Sequence, residues 1–161
     1  MAALSVLAIA VASSKVGYVF LHDDALQDWG ITVKAAKSSS DLVELVQRLI
    51  NELQPDVVVT EDCRVDCRKG KKTKMLIASV AELASHNTVL DVAVSRPRRF
   101  QSKYEEAEAL AALYPEIAGY LPVRKRRIFD FEPRGMVLFE ALALAEEVMK
   151  GPPTRLAAAM G

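Results

Sequence analysis

Three acidic residues stand where a carboxylate could do chemistry. Glu61 and Asp62 directly follow the apolar-cored segment Asp56–Thr60, and acids at the carboxyl end of a buried parallel strand lie where open α/β sheets bind ligands. Glu140 is the only polar residue within Met136–Ala145. A carboxylate on an otherwise buried helix needs a cationic partner, a proton or a metal ion. Carboxylate oxygens suit Mg²⁺ or Mn²⁺, so all three acids are candidate catalytic residues, and Glu61 and Glu140 are candidate metal ligands.

Each acid also has an ordinary structural interpretation. Glu61 and Asp62 are equally explained as a hydrated pair at a strand end, because charged groups prefer water. Glu140 is equally explained as one half of an ion pair, with Arg134 or an arginine of a basic loop as its partner. The sequence alone leaves both interpretations open.

Basic residues cluster close to the same predicted strand ends. The first cluster follows the strand that precedes Glu61, and the second follows the next strand along the chain. Because parallel strands end at one edge of a sheet, both clusters are expected to hold nucleic-acid phosphates around the site. The alternative is that these flexible basic side chains only keep the surface soluble. The candidate phosphate-binding residues are Lys69, Lys71, Lys72 and Lys74 in the first cluster and Arg96, Arg98 and Arg99 in the second. A third cluster, Arg124–Arg127 with Phe129 nearby, either adds a stacking contact or pairs with an acidic helix.

The composition is typical of a globular protein with a hydrophobic core, and the net charge does not predict a particular kind of partner. The 161 residues include 21 basic and 21 acidic side chains, and 51% are hydrophobic. Cys63 and Cys67 are too few for a disulfide scaffold and are interpreted as two reduced thiols of a cytoplasmic protein. The apolar start lacks the basic residue of a signal peptide, and no apolar segment reaches the roughly 20 residues that a membrane span needs.

Hydrophobic periodicity predicts a mixed α/β fold. Apolar runs predict strands at Val6–Val11, Val16–Leu21, Trp29–Val33, Asp56–Thr60 and Val89–Val94. Helical spacing predicts helices at Leu42–Leu53, Met75–Ser85, Ser102–Leu113 and Arg134–Met149. Asp41 is predicted to cap the first helix with Glu44, and Ser102 the third with Glu105. We expect one domain over residues 1–150 and a loose tail over 151–161.

Four segments in this order resemble the RuvC-like Holliday junction resolvases of the ribonuclease H-like superfamily. VLAIAVASSKVGYVF is similar to their first hairpin and contains Gly17–Tyr18, and DWGITV is similar to their third strand. LVELVQRLINELQPDVVVTED is similar to their first helix and fourth strand, ending at a metal-binding acid, here Glu61. RGMVLFEALALAEE is similar to their last helix, with Glu140 at the acidic position.

The resemblance implies a fold and an activity. The implied fold is a five-stranded mixed sheet in the order 3-2-1-4-5 flanked by helices. The implied activity is cleavage of branched DNA in recombination or repair with Mg²⁺ or Mn²⁺. Independently of the resemblance, the apolar last helix is compatible with a homodimer interface.

One position departs from the family pattern. The first strand of these resolvases carries an aspartate that bridges two metal ions, and Ala10 stands at that place. A methyl group cannot hold two ions about 4 Å apart. Any Mg²⁺ or Mn²⁺ is therefore expected to bind weakly or not at all.

Three functions follow as hypotheses. The first is a RuvC-like protein that binds branched or structured nucleic acid and has lost most or all metal-dependent cleavage. The second is an active junction endonuclease that uses Glu61, Glu140 and Asp62 despite Ala10. The third is a non-catalytic protein-interaction scaffold, whose binding would not weaken steeply as salt rises.

Overall fold

The structure, a computed structural model, describes residues 4–63, 69–95, 102–121 and 135–150. These residues form five strands, four α-helices and two short 3₁₀ helices. In chain order the elements are β1 (Ser5–Val11), β2 (Val16–His22), β3 (Ala25–Thr32), a 3₁₀ helix (Lys34–Ala36), α1 (Ser39–Leu53), β4 (Val57–Glu61), α2 (Lys71–Ser85), β5 (Leu90–Val94), α3 (Lys103–Leu113), a second 3₁₀ helix (Pro115–Tyr120) and α4 (Met136–Lys150). The predicted tail over 151–161 lies outside the described residues.

The strands form one mixed sheet in the order β3-β2-β1-β4-β5. The first three strands pair antiparallel, as consecutive hairpins do. β1 pairs parallel with β4, and β4 pairs parallel with β5. Each of these parallel pairs needs a crossover, which α1 and α2 supply. The predicted sheet order is confirmed.

β1 is the central strand and divides the core into two layers. All seven of its residues are buried, as expected for a strand covered on both faces. Ala8 and Ala10 pack in the layer formed with α3 and α4. Leu7 and Ile9 pack in the opposite layer, with α1 and α2. Position 10 therefore faces the helix that carries Glu140.

α1 begins one turn earlier than its sequence pattern predicts. Ser38, not Asp41, is the N-cap: its hydroxyl accepts a hydrogen bond from the Asp41 backbone N–H at 3.2 Å and donates one to the Asp41 carboxylate at 3.0 Å. Ser38 has the extended backbone that an N-cap needs, and Asp41 takes the position of the acidic partner. The prediction of Asp41 as the cap was wrong, whereas Ser102 caps α3 through the Glu105 N–H as predicted.

Two further boundaries differ from prediction. β3 begins at Ala25 instead of Trp29, because Ala25 and Leu26 continue the pairing with β2. The turn between them has positive φ at Asp23 and Asp24, which aspartate tolerates better than most residues. α2 begins at Lys71 instead of Met75, so the lysine-rich segment forms the first turn of a helix.

α4 packs closely on the first hairpin. A Cβ atom at Gly17 in β2 would lie 2.8 Å from the Val137 carbonyl oxygen of α4, so only glycine permits this approach. The apolar residues of α4 from Met136 to Ala145 are buried in the core of the same chain. These side chains are therefore not a free surface for the homodimer interface that the sequence suggested. None of the described helices is both long and apolar enough to cross a membrane.

Candidate functional site

The carboxyl ends of β1 and β4 bring Ala10 and Glu61 to one edge of the sheet. Ala8 is in register with Val59, and both side chains lie in the α4 layer of the core. Side chains alternate along a strand, so Ala10 and Glu61, each two residues further on, are directed towards the same layer. This is the arrangement that the resemblance implies, with a methyl group in place of the first carboxylate.

Glu140 has a cationic partner. The Lys69 ammonium nitrogen lies 3.4 Å from the Glu140 Oε2 and donates a hydrogen bond of 2.8 Å to the backbone oxygen of Val11. The lysine and glutamate side chains are only 20% and 12% exposed. The ion-pair interpretation of Glu140 is thus the one observed, and among the described residues its partner is Lys69. Arg134 lies outside the described residues.

Glu61 lies at the edge of the sheet, where it also borders a cavity of about 870 Å³ on the α2 side. Asp62, Asp91 and Lys74 line this cavity as well, between α2 and the ends of β4 and β5. The Asp62 backbone N–H donates to the Val94 carbonyl at 2.8 Å, which extends the parallel pairing past the last residue of β4. The apolar wall of the cavity is made by Ile77, Ala78, Ala81, Val92, Ala93 and Val94.

Asp91 is the residue of this cavity that the sequence analysis missed. Its Oδ1 is buried and has no hydrogen-bond partner among the described residues, and burial raises the pKa of its carboxyl group. Unpartnered buried carboxylate oxygens are uncommon because desolvation is costly. The available signal was an acid in the middle of the apolar strand VLDVAV.

Cys63 is disulfide-bonded, which contradicts the expected pair of reduced thiols. Its sulfur lies 3.7 Å from the Glu61 Oε2. The other cysteine of the sequence, Cys67, lies outside the described residues. Cysteines separated by three residues can bond wherever the backbone brings their Cα atoms within about 7 Å, a condition that composition and spacing do not reveal.

The predicted basic clusters are described only in part. Lys71, Lys72 and Lys74 are exposed on the first turn of α2, where phosphates can reach them. Lys69 differs from this expectation, because its ammonium group is held by Glu140 and Val11. Several predicted contacts lie outside the described residues, namely Arg96, Arg98, Arg99, Arg124–Arg127 and Phe129.

The described side chains do not supply the two-metal centre that the resemblance implies. Within the described ranges no group of three or more histidine, cysteine, aspartate or glutamate residues is placed to hold a metal ion. Ala10 offers no ligand atom, and the Glu140 carboxylate already contacts an ammonium group. Divalent ions of this class need several oxygen ligands, and the ends of β1 and α4 do not supply them.

Comparison with known proteins identifies solved structures of the same architecture. RuvC of Thermus thermophilus superposes with a TM-score of 0.56 at 14% identity, covering 92% of this chain and 97% of that one. The fowlpox virus Holliday junction resolvase gives a TM-score of 0.57 at 13% identity, covering 92% and 100%. Thermus thermophilus RuvC in complex with a Holliday junction substrate gives 0.56 at 15% identity, covering 92% and 96%. No family model and no curated protein sequence matches the chain.

Such low identities carry information about the fold alone. The match extends over nearly the whole of each chain, and the five-stranded sheet in the order 3-2-1-4-5 agrees with it. The chain therefore has the ribonuclease H-like fold found in RuvC and in the fowlpox virus resolvase.

Proposed function

We propose that this protein binds branched or structured DNA and has lost most or all of the metal-dependent cleavage of its structural relatives. Two features near the end of β1 carry this proposal. Ala10 stands where the resemblance expects a metal-bridging carboxylate, and Lys69 neutralises the carboxylate of Glu140. The fold is retained, while no group of acids among the described residues is placed to hold a metal pair.

The proposed DNA surface begins at the first turn of α2. Lys71, Lys72 and Lys74 are exposed there, and the amino end of a helix adds partial positive charge that favours phosphate. Arg96, Arg98 and Arg99 follow β5, whose carboxyl end lies at the same edge of the sheet, and are proposed as further phosphate contacts. Support for branched DNA as the ligand comes from the structural relatives, which are Holliday junction resolvases.

A gel-shift titration with a labelled four-way DNA junction and a duplex of matched sequence tests binding. We expect junction binding at low salt that weakens steeply as salt rises. Replacing Lys71, Lys72 and Lys74 together by glutamine should reduce the slope of log K against log salt by roughly 2 to 3.

Lys150→Gln is the control for charge removal. Lys150 lies ten residues beyond Glu140 on α4, about 15 Å further along the helix, and pairs with Glu146. The salt slope should not change in this variant. Absence of binding to both DNAs at low salt would refute the proposal, and salt-independent capture of a protein partner would favour the scaffold hypothesis instead.

A further inference from the structure

Lys69 makes contacts that resemble those of a bound cation more than those of a surface lysine. Its nitrogen lies between the carbonyl oxygen of the last β1 residue, Val11, and the carboxylate of Glu140 on α4. Both oxygens belong to the class that Mg²⁺ and Ca²⁺ select in proteins. The lysine side chain is only 20% exposed, so much of its hydrated surface has been exchanged for these contacts.

Within the Lys69–Glu140 contact the charges balance without a metal ion. Glu140 contributes one negative charge and Lys69 one positive charge, and position 10, which faces the same helix, adds no carboxylate. An additional divalent ion at this place would lie close to an ammonium group and would be repelled by it. The uncharged residue at position 10 and the lysine beside Glu140 thus act in the same direction. Both lower the negative charge that would attract a divalent ion.

We propose that the Lys69 ammonium group is a built-in cation that replaces a divalent metal ion at the carboxyl end of β1. It neutralises Glu140 and joins three elements: β1 through Val11, α4 through Glu140, and α2, which begins two residues later at Lys71. It also blocks metal binding, so a carboxylate restored at position 10 forms an ion pair with Lys69 and does not create a metal site.

The first test measures Mn²⁺ binding in the absence of DNA. The electron paramagnetic resonance signal of the free ion reports how much Mn²⁺ remains unbound. The variants are Ala10→Asp, Lys69→Met and the double variant, with methionine chosen because it keeps the apolar stem of lysine. We expect the double variant to bind Mn²⁺ about tenfold or more tightly than either single variant, because the repelling charge has gone and a second carboxylate is present.

Lys74→Met combined with Ala10→Asp is the matched control. Lys74 is also near the site but lines the cavity beside Glu61, so its removal should leave Mn²⁺ affinity at the level of Ala10→Asp alone. The proposal is overturned if Ala10→Asp binds Mn²⁺ as tightly as the Ala10→Asp/Lys69→Met double variant. Because no DNA is present, this result is independent of whether the protein binds junctions.

A second test needs no substitution and remains decisive if the double variant does not fold. Lysine acetylation of the unmodified protein, followed by mass spectrometry, compares Lys69 with Lys72, which is exposed. We expect Lys69 to react at least about fivefold more slowly, since ion pairing and burial protect its nitrogen, and added MgCl₂ should not change its rate. Equal rates would show that Lys69 is not protected by the contact, and acceleration of Lys69 alone by MgCl₂ would show that a metal ion displaces the ammonium group. Either result would overturn the proposal.

Discussion

Glu61 and Glu140 are the two candidate metal ligands of the sequence, and they have different surroundings. Glu140 is 12% exposed and contacts Lys69 in a closed region between β1 and α4. Glu61 lines an open cavity of about 870 Å³ with Asp91 and Lys74. Two acids can therefore stand at the positions expected from the sequence while their neighbours differ: Glu140 is held in an internal ion pair, and Glu61 borders an open polar cavity.

The size of the packed side chains accounts for the difference between these regions. On the α4 side, Gly17 lets the helix backbone approach β2 closely, and Phe139 and Leu142 fill the layer without exposure. On the α2 side, Ala78, Ala81 and Ala93 line the cavity and are too small to fill it. A tightly packed region resists substitution more than an open one does.

The largest expected effect is that of Gly17→Ala. The new Cβ would lie 2.8 Å from a backbone oxygen of α4, which cannot move as a flexible side chain does. We expect the free energy of unfolding in urea to fall by about 2–3 kcal/mol. Gly70→Ala is the control at the start of α2, because nothing lies within 4 Å of a Cβ there. Equal losses in both variants would contradict the contrast between a closed and an open region.

Lys69→Met is expected to have the next largest effect. It leaves the Glu140 carboxylate mostly buried without its ammonium partner, so we expect a loss of about 2 kcal/mol in the free energy of unfolding, less than for a fully buried pair. Lys74→Met in the open cavity should change stability by less than about 0.5 kcal/mol.

A double-mutant cycle then isolates the contact between Lys69 and Glu140. Lys69→Met combined with Glu140→Leu should lose less stability than Lys69→Met alone, since no charge is left buried. A double variant that loses the sum of the two single effects would show that the two side chains do not interact.

The smallest expected effect is the pH dependence caused by Asp91. Burial raises the pKa of this carboxyl group above its ordinary value of 3.8, so the folded protein holds the proton to higher pH than the unfolded chain does. The contribution of Asp91 to the free energy of unfolding is therefore greatest below pH 3.8, and it is lost as the pH rises through the raised pKa of the folded state.

Asp91→Asn tests this dependence directly. Because asparagine does not titrate, the variant should lose the part of the pH dependence of its free energy of unfolding that Asp91 causes. At neutral pH it should melt at a slightly higher temperature than the unmodified protein. Glu82→Gln, an exposed acid on α2, is the control and should melt unchanged. A lower melting temperature for Asp91→Asn at neutral pH would mean that the charged form of Asp91 is stabilised by a partner.

The sequence was informative about the fold because the fold depends on local patterns. The buried run of β1, the hairpin to β2 and the crossover through α1 all follow from apolar periodicity and connection rules. The start of α1 was misplaced because Ser38, Ser40 and Asp41 are all residues that cap helices well. Only the backbone conformation of Ser38 distinguishes among them.

The site was less predictable because it depends on contacts between distant residues. The positions of Glu61 and Glu140 relative to the sheet were inferred from the strand and helix that carry them. The contact between Lys69 and Glu140 joins residues 71 positions apart, and Lys69 looked like any other lysine of its cluster. The cavity around Asp91 depends on side-chain sizes on two elements, which no single sequence segment encodes.

Junction binding without metal-dependent cleavage can be tested in one combined assay on a labelled four-way DNA junction, with EDTA in one series and MnCl₂ in the other. Binding without a metal ion and without cleavage is the expected behaviour of a chain with Ala10 and the Lys69–Glu140 pair. We predict that binding does not require Mn²⁺, that the junction is bound more tightly than matched duplex in both series, and that the DNA strands stay intact throughout. Mn²⁺-dependent cutting of the junction that disappears in Glu61→Gln would contradict the account.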